Sequence, residues 1–271
     1  MSPTPFRYVH HFLTVPVVVN GSAETRFVLD TGIGLTLFSE SLCDAIGCSP
    51  NGSTYTGRRM SGQQVTIPLA SEAALSMGSM TRESLDVGIF DMGGFPADFD
   101  GIDGFLSLAF FAGTPFTVDY PRRAVVLESA KSVATRAAGG NAVDVGVERD
   151  DGAVVAFLPL TIPGRGSITV EVDTGSDSLI LDEALAADVG VGLDDPAVRS
   201  VDGKDETGHA YTRYFTQIRG AVHPTGAPLI SQANPDVMFQ RIIYDGLVGD
   251  SFLRNFAVTY DLENSRMIFA R

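Results

Sequence analysis

Basic residues are few in this sequence, and long hydrophobic runs are missing from it. The 271 residues include 19 Lys and Arg against 33 Asp and Glu, which gives a formal net charge of −14. Because phosphate backbones are bound by basic surfaces, this charge argues against nucleic acid as a partner. No stretch approaches the roughly 18 apolar residues that a membrane-spanning helix needs. We therefore expect neither a nucleic acid nor a membrane as a partner.

Histidine is scarce, and its positions do not form a metal-binding pattern. The four histidines lack cysteines or paired carboxylates at metal-ligand spacing: His10, His11, His209 and His223. We interpret them as surface or packed side chains. Neither a metal ion nor another cofactor is expected.

Only two cysteines are present, Cys43 and Cys48. Two thiols so close in sequence could form a small disulfide loop in an oxidising compartment. The surrounding pattern, however, predicts a serine-capped helix from Ser39 to Ile46. On a continuous helix, cysteines five residues apart point in different directions. Free, packed thiols are therefore the preferred interpretation.

Two further sequence signals are lacking. No serine stands in a Gly-x-Ser-x-Gly context, which argues against the nucleophile of an α/β-hydrolase. The segment 1–11 has two histidines and no apolar core of a secretion signal. A cytoplasmic location is the resulting expectation, and a chain that begins after processing is the alternative.

The triplet Asp-Thr-Gly occurs twice, as Asp30-Thr31-Gly32 and Asp173-Thr174-Gly175. Each copy follows a short apolar run, so each aspartate is a carboxylate at the end of a strand, at the start of a tight turn. The segments Leu13–Gly32 and Ala156–Gly175 match without a gap, at an offset of 143 residues. Each segment has the pattern of a β-hairpin that ends in the triplet.

The ends of the two halves match as well. Gly101-Ile102-Asp103-Gly104 aligns with Gly246-Leu247-Val248-Gly249, and Phe116–Tyr120 aligns with Phe256–Tyr260. A last apolar strand follows each, at 124–127 and 266–269. A repeat of about 140 residues indicates a duplicated domain, because solenoid units run to roughly 50 residues at most.

The repeat sets the predicted organisation of the chain. Residues 1–128 form a first lobe, 129–141 a polar linker and 142–271 a second lobe. Short apolar strands broken by Gly, Pro, Asn and Asp predict a mainly β fold. One short helix is expected after each triplet strand, at 39–46 and 182–189.

Two carboxylates in matched loops suit the hydrolysis of an amide. That reaction needs a base that activates water and an acid that protonates the leaving nitrogen. A pair of carboxyls about 3 Å apart that shares one proton supplies both, since the two cannot ionise together easily. The candidates are Asp30 and Asp173, braced by the hydroxyls of Thr31 and Thr174.

This duplicated pattern resembles the aspartic peptidases, both the bilobal pepsin-like enzymes and the half-size retroviral-type enzymes. The stretch 245–256, Asp-Gly-Leu-Val-Gly-Asp-Ser-Phe-Leu-Arg-Asn-Phe, is most similar to bacterial retropepsin-like domains. The resemblance covers nearly all of both halves. It implies a bilobal acid protease fold with the active-site cleft between two homologous β lobes.

The resemblance also assigns roles to residues. Asp30 and Asp173 would hold the attacking water between them, and Thr31 and Thr174 would join the lobes by hydrogen bonds. Three further positions would complete the active-site loops: Gly32, Gly175 and Ser176. The hydroxyl of Ser176 would support the neighbouring carboxylate.

Two positions depart from the family pattern. Ile33 stands where Ser, Thr or Ala is usual, so this half has no hydroxyl beside its carboxylate, and we expect a raised pKa for the pair and a mildly acidic optimum. Asp103 stands where an apolar residue is expected. It could act as a third carboxylate near the site or face solvent, and solvent is the preferred interpretation.

Each half contains a turn-rich segment between its triplet and its closing motif, at 54–68 and 204–215. Such segments suit a mobile hairpin over a cleft, although an ordinary surface hairpin has the same pattern. The candidate substrate-facing positions are Tyr55, Gly62, Gly208 and Tyr211.

The sequence thus predicts an aspartic endopeptidase that acts on a peptide or protein substrate. Its site would be complete within a monomer, because both lobes lie on one chain. The alternative is a catalytically weak, peptidase-like module that binds a peptide or a partner. A purely structural role, with the cleft covered by the N-terminal residues, is a second alternative.

Overall fold

The fold is mainly β, with two similar lobes and a cleft between them. The computed structural model describes residues 2–21, 24–95, 99, 101–205 and 208–271. The strands of the first half are β1 Thr4–Pro5, β2 Arg7–Val9, β3 Phe12–Val19, β4 Glu24–Leu29, β5 Leu37–Ser39, β6 Thr54–Arg58, β7 Gln64–Met77, β8 Met80–Phe90, β9 Gly104–Leu106, β10 Phe116–Asp119 and β11 Ala124–Leu127.

The second half repeats this layout. Its strands are β12 Asn141–Asp144, β13 Gly146–Asp150, β14 Ala153–Ile162, β15 Gly166–Val172, β16 Leu179–Asp182, β17 Arg199–Lys204, β18 Ala210–Gln217, β19 Ala221–Pro224, β20 Gln232–Ala233, β21 Asp236–Gln240, β22 Gly246–Val248, β23 Ala257–Asp261 and β24 Arg266–Ala270. The α-helices of the described chain are α1 Glu40–Ile46, α2 Ala130–Gly139 and α3 Asp250–Leu253.

The strands form one sheet in each lobe and a third sheet shared by both. Strands β2 to β9 form the eight-stranded sheet of the first lobe, in the order β2-β3-β4-β9-β5-β8-β7-β6. Strands β13 to β22 form the ten-stranded sheet of the second lobe. The apolar core runs through both lobes without interruption, since a single cluster of buried side chains contains members of each.

The shared sheet joins the lobes at their centre. Its order is β1-β11-β10-β23-β24-β12, so each lobe contributes strands. Strands β10 and β23 pair in antiparallel register, with Val118 opposite Val258. Because these two strands occupy equivalent places in the repeat, an approximate twofold axis passes between them.

The hairpins predicted from the repeat are confirmed. Strands β3 and β4 pair in antiparallel register and lead into the first triplet, and β14 and β15 do the same before the second. The last three residues of β4, Phe27 to Leu29, are all buried, because this strand has protein on both faces.

Two of the predicted connections differ in detail. The linker is largely helical, since α2 fills it and is capped by Ser129, which accepts a hydrogen bond from the Ser132 N–H. The second predicted helix, 182–189, is wrong as an α-helix. It is a short 3₁₀ helix at Glu183–Leu185 followed by turns, and the side chain of Asp182 caps it by accepting from the Ala184 N–H.

Cys43 and Cys48 form a disulfide, so the preferred interpretation as free thiols is wrong. The expected helix is present as α1, but it ends at Gly47, which adopts a left-handed conformation with φ of 72°. The chain turns back there, and the Cys48 N–H donates to the Cys43 carbonyl at 2.9 Å. The two Cα atoms are therefore only 4.9 Å apart, within the range for a disulfide.

Within the described part of the chain, no helix has both the length and the apolar character needed to cross a membrane.

Candidate active site

The two Asp-Thr-Gly triplets occupy equivalent places at the centre of the molecule. The first follows β4 and the second follows β15. The Asp30 N–H donates to the Leu106 carbonyl at the end of β9, and the Asp173 N–H donates to the Val248 carbonyl at the end of β22, both at 3.0 Å. Each aspartate is thus fixed at the end of a parallel strand pair inside its own lobe.

The threonines connect the two loops, as expected from the sequence. The Thr31 N–H donates to Thr174 Oγ1 at 3.0 Å, and the Thr174 N–H donates to Thr31 Oγ1 at 3.0 Å. Each hydroxyl in turn donates across the axis, Thr31 to the Val172 carbonyl at 2.6 Å and Thr174 to the Leu29 carbonyl at 2.7 Å. Both threonines are fully buried.

The glycines let the two carboxyls approach each other. A Cβ added at Gly32 would lie 2.5 Å from Asp173 Cγ, and one added at Gly175 would lie 2.6 Å from Asp30 Oδ2. No side chain larger than hydrogen fits at such distances. Each triplet glycine therefore packs directly on the carboxyl of the opposite lobe.

Backbone N–H groups hold the carboxyls in place. Asp30 Oδ1 accepts from Gly32 N at 3.0 Å and from Ile33 N at 3.1 Å, and Asp173 Oδ1 accepts from Gly175 N at 2.8 Å. The hydroxyl of Ser176 does not give the expected support. It donates to the Ser178 carbonyl at 3.5 Å instead.

The pair is arranged to share one proton. Burial raises the pKa of Asp30 well above its ordinary value, and the charge of Asp173 raises it further. Burial also raises the pKa of Asp173, while backbone N–H donors, the hydrogen bond from Asp30 and the nearby His11 act in the opposite direction. The pKa of both carboxyls is therefore raised, and the two carboxyls titrate as a unit that can share one proton.

Ile33 turns towards the apolar interior of the first lobe. It packs on a cluster that contains Val28 and Phe105. The pKa of the pair is raised, in the direction expected for a missing hydroxyl. The largest cause is burial, however, and not the lack of a donor at position 33.

Asp103 takes no part in the carboxyl pair, because the closing motif of the first lobe lies three residues later than the sequence alignment placed it. Gly104 pairs with Phe27 on β4, as Gly246 pairs with Val170 on β15. Asp103 precedes the motif, and its Oδ2 accepts from the Arg26 N–H at 2.7 Å.

Glu171 is the third carboxyl at the site, and the sequence interpretation missed it. It lies on β15 two residues before Asp173 and is only 5% exposed. Burial raises its pKa well above the ordinary value, and the charges of Asp173 and Asp30 raise it further. The sequence could have revealed Glu171, because residues two apart along a strand share a face and Glu171 precedes Asp173 by two positions.

His11 also reaches the site. It lies in the turn between β2 and β3, and its Nε2 donates to the Gly175 carbonyl at 3.1 Å. Beside it, Tyr8 Oη donates to Asp250 Oδ1 at 2.9 Å. Burial raises the pKa of Asp250 above its ordinary value. No sequence signal indicated these contacts, because they join residues far apart in the chain.

The predicted hairpin of the first lobe is confirmed, and it closes over the cleft. Strands β6 and β7 form it. At its tip, the Met60 carbonyl accepts from the Ile243 N–H of the second lobe at 2.9 Å. Gly62 lies beside the same residue, since a Cβ there would be 3.0 Å from Ile243 Cγ2. We call residues 54–68 the flap.

Tyr55 lies where the flap meets the loop after Asp30. A Cβ added at Gly34 would lie 2.8 Å from the Tyr55 hydroxyl and 2.9 Å from Ala153 Cβ. Burial raises the pKa of Tyr55, and Asp150 and Asp151 add to this. Tyr55 is therefore brought to the edge of the site.

The hairpin of the second lobe is formed by β17 and β18, with Glu206 and Thr207 outside the described residues. Gly208 is exposed near its tip, with φ of 81°. Tyr211 packs within the hairpin, where the Arg213 guanidinium lies 3.8 Å from its ring centroid. In the contacts of the described residues, neither Gly208 nor Tyr211 touches Asp30 or Asp173.

Among the described residues, no group of three or more His, Cys, Asp or Glu side chains could hold a metal ion. The titratable groups around the pair are carboxyls, one imidazole and tyrosines. Their arrangement suits the transfer of protons to and from water.

Comparisons with known proteins agree with this geometry. Residues 15–110, which include the first triplet, match the family model described as aspartyl protease. No curated protein sequence matches the chain. The sequence match thus covers most of the first lobe.

Solved structures match over the whole chain. The basic 7S globulin from soybean has a TM-score of 0.61 at 11% identity, over 99% of this chain and 93% of that one. Conglutin gamma, a basic 7S globulin from lupine seeds, has a TM-score of 0.57 at 10% identity, over 98% of this chain and 94% of that one. These likenesses establish the fold, and the family match together with the paired triplets supports an aspartic peptidase family for this chain.

Proposed function

We propose that the protein is an aspartic endopeptidase that hydrolyses peptide bonds with a water activated by Asp30 and Asp173. The observation that carries this proposal is the contact between the triplets, in which each glycine packs on the carboxyl of the opposite lobe. The raised pKa of both carboxyls, caused first by burial, supports a shared proton.

The two carboxyls divide the chemistry between them. The ionised carboxyl of the pair takes a proton from water, whose oxygen attacks the carbonyl carbon of the substrate. The protonated carboxyl gives its proton to the carbonyl oxygen. Collapse of the resulting diol breaks the carbon–nitrogen bond: the proton taken from water goes to the leaving nitrogen, and one diol hydroxyl returns a proton to the carboxyl that had donated its own.

The substrate would lie extended between the flap and the pair. An extended peptide can pair with the backbone of the flap and place alternate side chains on opposite sides. The flap tip would have to lift for this, because Ile243 N–H donates to the Met60 carbonyl across the cleft. A monomer suffices, because both aspartates lie on one chain. The Cys43–Cys48 disulfide favours an oxidising compartment over the cytoplasmic location expected from the sequence.

Cleavage of a diverse peptide mixture, read by mass spectrometry from about pH 3 to pH 8, tests this proposal. We expect cleavage by the native protein and loss of at least about 10³-fold for Asp30→Asn and Asp173→Asn, with the fold intact by circular dichroism. Activity that survives either change would contradict the mechanism.

A second candidate is a module that binds peptides and cleaves them poorly. The closed flap favours it, since a hydrogen bond at 2.9 Å between Ile243 and Met60 joins the lobes across the cleft. A third buried carboxyl, Glu171, also stands beside the pair, and its charged form is disfavoured by burial and by the two aspartates. Binding of a statine-type inhibitor without turnover of any peptide would distinguish this candidate from the enzyme.

A further inference from the structure

One face of the second-lobe sheet carries two glutamates beside Asp173. Phe157 on β14 pairs with Glu171 on β15, and Glu148 on β13 pairs with Val155 on β14. Directly paired residues of antiparallel strands share a face, as do residues two apart along a strand. Glu148 and Glu171 therefore lie on the same face, and this face continues to Asp173.

Glu171 is buried there without a cation. It is 5% exposed, and among the described residues it has neither a hydrogen bond nor a salt bridge. The charges that act on it are all negative: Asp173, Asp30 and Glu148. The carboxyl oxygens of Glu171 are not among the fully buried side-chain atoms of the described chain that lack a partner, so they keep some access to solvent, from which a group of opposite charge can approach.

Aromatic rings stand beside this carboxyl. The rings of Phe157 and Tyr244 make an edge-to-face contact, with centroids 5.3 Å apart. Burial raises the pKa of Tyr244 to about 12, and Glu171 and Glu148 are the next causes. Aromatic rings next to a carboxylate suit the binding of a long basic side chain. The methylene groups of Lys or Arg can pack on the rings, and the charged end can pair with the carboxylate.

The equivalent place in the first lobe is apolar. Val28 occupies it, at the repeat offset of 143 from Glu171. It belongs to an apolar cluster with Phe99 and Phe105, on which Phe12 and Phe95 pack. The two lobes thus present different chemistry on the two sides of the same carboxyl pair.

We propose that Glu171, helped by Glu148, forms a specificity subsite for a Lys or Arg side chain of the substrate, next to the bond that is cleaved. This inference rests on the proposed function. It names the class of substrate, peptides with a basic residue beside the scissile bond. We call this place the acidic subsite.

The first test compares cleavage sites in a peptide library among three proteins: native, Glu171→Gln and Glu171→Val. For the native protein we expect Lys or Arg enriched at one position flanking the cut. Glu171→Gln should lower kcat/KM for such peptides by about 10- to 100-fold, as expected for loss of a charged hydrogen bond. Glu171→Val copies the first lobe and should favour apolar residues at that position.

Glu40→Gln is the matched control, since it removes the same charge from an exposed position on α1. It should leave the cleavage pattern unchanged. Cleavage by the native protein without any basic preference, or with one that Glu171→Gln retains, would overturn the acidic subsite and leave the peptidase standing.

A binding measurement keeps the subsite testable without turnover. Two reduced-amide peptides that differ only in Lys against norleucine are titrated calorimetrically into native and Glu171→Gln protein. We expect the native protein to favour the Lys peptide by at least about 10-fold and the variant to lose this preference. Such binding without cleavage of any peptide would retain the subsite and reject the peptidase, whereas equal binding of both peptides would reject the subsite.

Discussion

At the scale of single residues, the hydroxyls of Thr31 and Thr174 position the carboxyl pair. Each hydroxyl accepts from the backbone of the opposite loop and donates to a carbonyl across the axis. Both are buried, so water cannot replace a lost partner. These four hydrogen bonds fix the distance between the lobes at the point where the chemistry needs it.

Replacement of Thr31 by Val tests this arrangement. Valine has a similar shape but leaves the Val172 carbonyl and the Thr174 N–H without partners. We expect a loss of about 2 to 5 kcal/mol in the free energy of unfolding, since each orphaned buried group costs about 1 to 3 kcal/mol. Chemical denaturation measures it. Thr31→Ser keeps the hydroxyl and should cost less than half as much.

His11 should influence how Asp173 titrates. A positive charge beside a carboxylate favours its ionised form, and His11 lowers the pKa of Asp173 in this way. His11→Gln removes that charge, so the pKa of Asp173 should rise. Because one carboxyl of the pair must be ionised to accept a proton from water, the acid limb of the pH profile of kcat/KM should move to higher pH.

The control for this experiment is His223→Gln. His223 lies on β19 and contacts the Pro224 carbonyl, away from the triplets. Its replacement should leave both limbs of the profile in place. An unchanged acid limb in His11→Gln would show that the histidine only packs against the Gly175 loop.

The residues that the sequence revealed and those that it missed differ in a physical respect. Asp30 and Asp173 were found because a local sequence pattern, a predicted strand followed by Asp-Thr-Gly, marks their positions. Glu171 was missed because it lies within an apolar run that predicts only a strand. Its position next to the carboxyl pair depends on how the strands pair. His11 acts through a contact over 164 residues of sequence, which local patterns do not contain.

At the scale of elements, the flap contacts both lobes above the cleft, and we expect it to control access to the pair. Its tip is held on the second lobe by the Ile243–Met60 hydrogen bond, and Arg59 Nε lies 3.6 Å from Asp205 Oδ2. Met60 also packs on an apolar cluster that contains Ile180 and Leu247. In the proposed function, substrate binding would exchange these contacts for contacts with a peptide.

Gly62→Ala should weaken closure of the flap. Gly62 has φ of 83°, and an added Cβ would lie 3.0 Å from Ile243 Cγ2, so the closed tip must shift. We expect a KM several-fold higher with a smaller change in kcat, measured by steady-state kinetics. Gly52→Ala is the control. Gly52 has φ of 90° and no atom within 4 Å of an added Cβ, so KM should not change.

Elements were predicted well where their signals are local. The paired hairpins before the triplets follow from apolar strands with a glycine or asparagine turn between them. The closing motif of the first lobe was misplaced by three residues, because two glycines, Gly101 and Gly104, fit the same pattern. Only the pairing of Gly104 with Phe27 decides between them.

The disulfide illustrates the same limit. Its prediction depended on where a helix ends, and a left-handed Gly47 sets that end. The helix ends at Ile46 as predicted, so Cys48 lies beyond it and not on a continuous helix. The left-handed turn at Gly47 brings Cys48 back over Cys43.

At the scale of the whole molecule, buried carboxyls should make stability depend on pH. Burial raises the pKa of Asp30, Asp173, Glu171 and Asp250 above their ordinary values. A carboxyl with a raised pKa in the folded state contributes stability that is complete below its unfolded pKa, about 4. This contribution is lost as pH rises through the raised folded value.

The protein should therefore be more stable at about pH 5 than at about pH 7.5. Differential scanning calorimetry at the two pH values measures the difference in Tm. Glu171→Gln removes one of the four groups, so its difference in Tm should be smaller. Glu40→Gln should retain the native difference, and an equal effect of both variants would contradict this account.

The approximate twofold axis between β10 and β23 has a consequence for how such a protein can change. Residues near the axis, such as Thr31 and Thr174, make the same bonds in both copies and must be altered together. Farther out the copies are independent, as Val28 and Glu171 demonstrate at one repeat position. A duplicated gene built in this way can acquire a new substrate preference in one half by a single substitution, while the reaction mechanism is inherited unchanged.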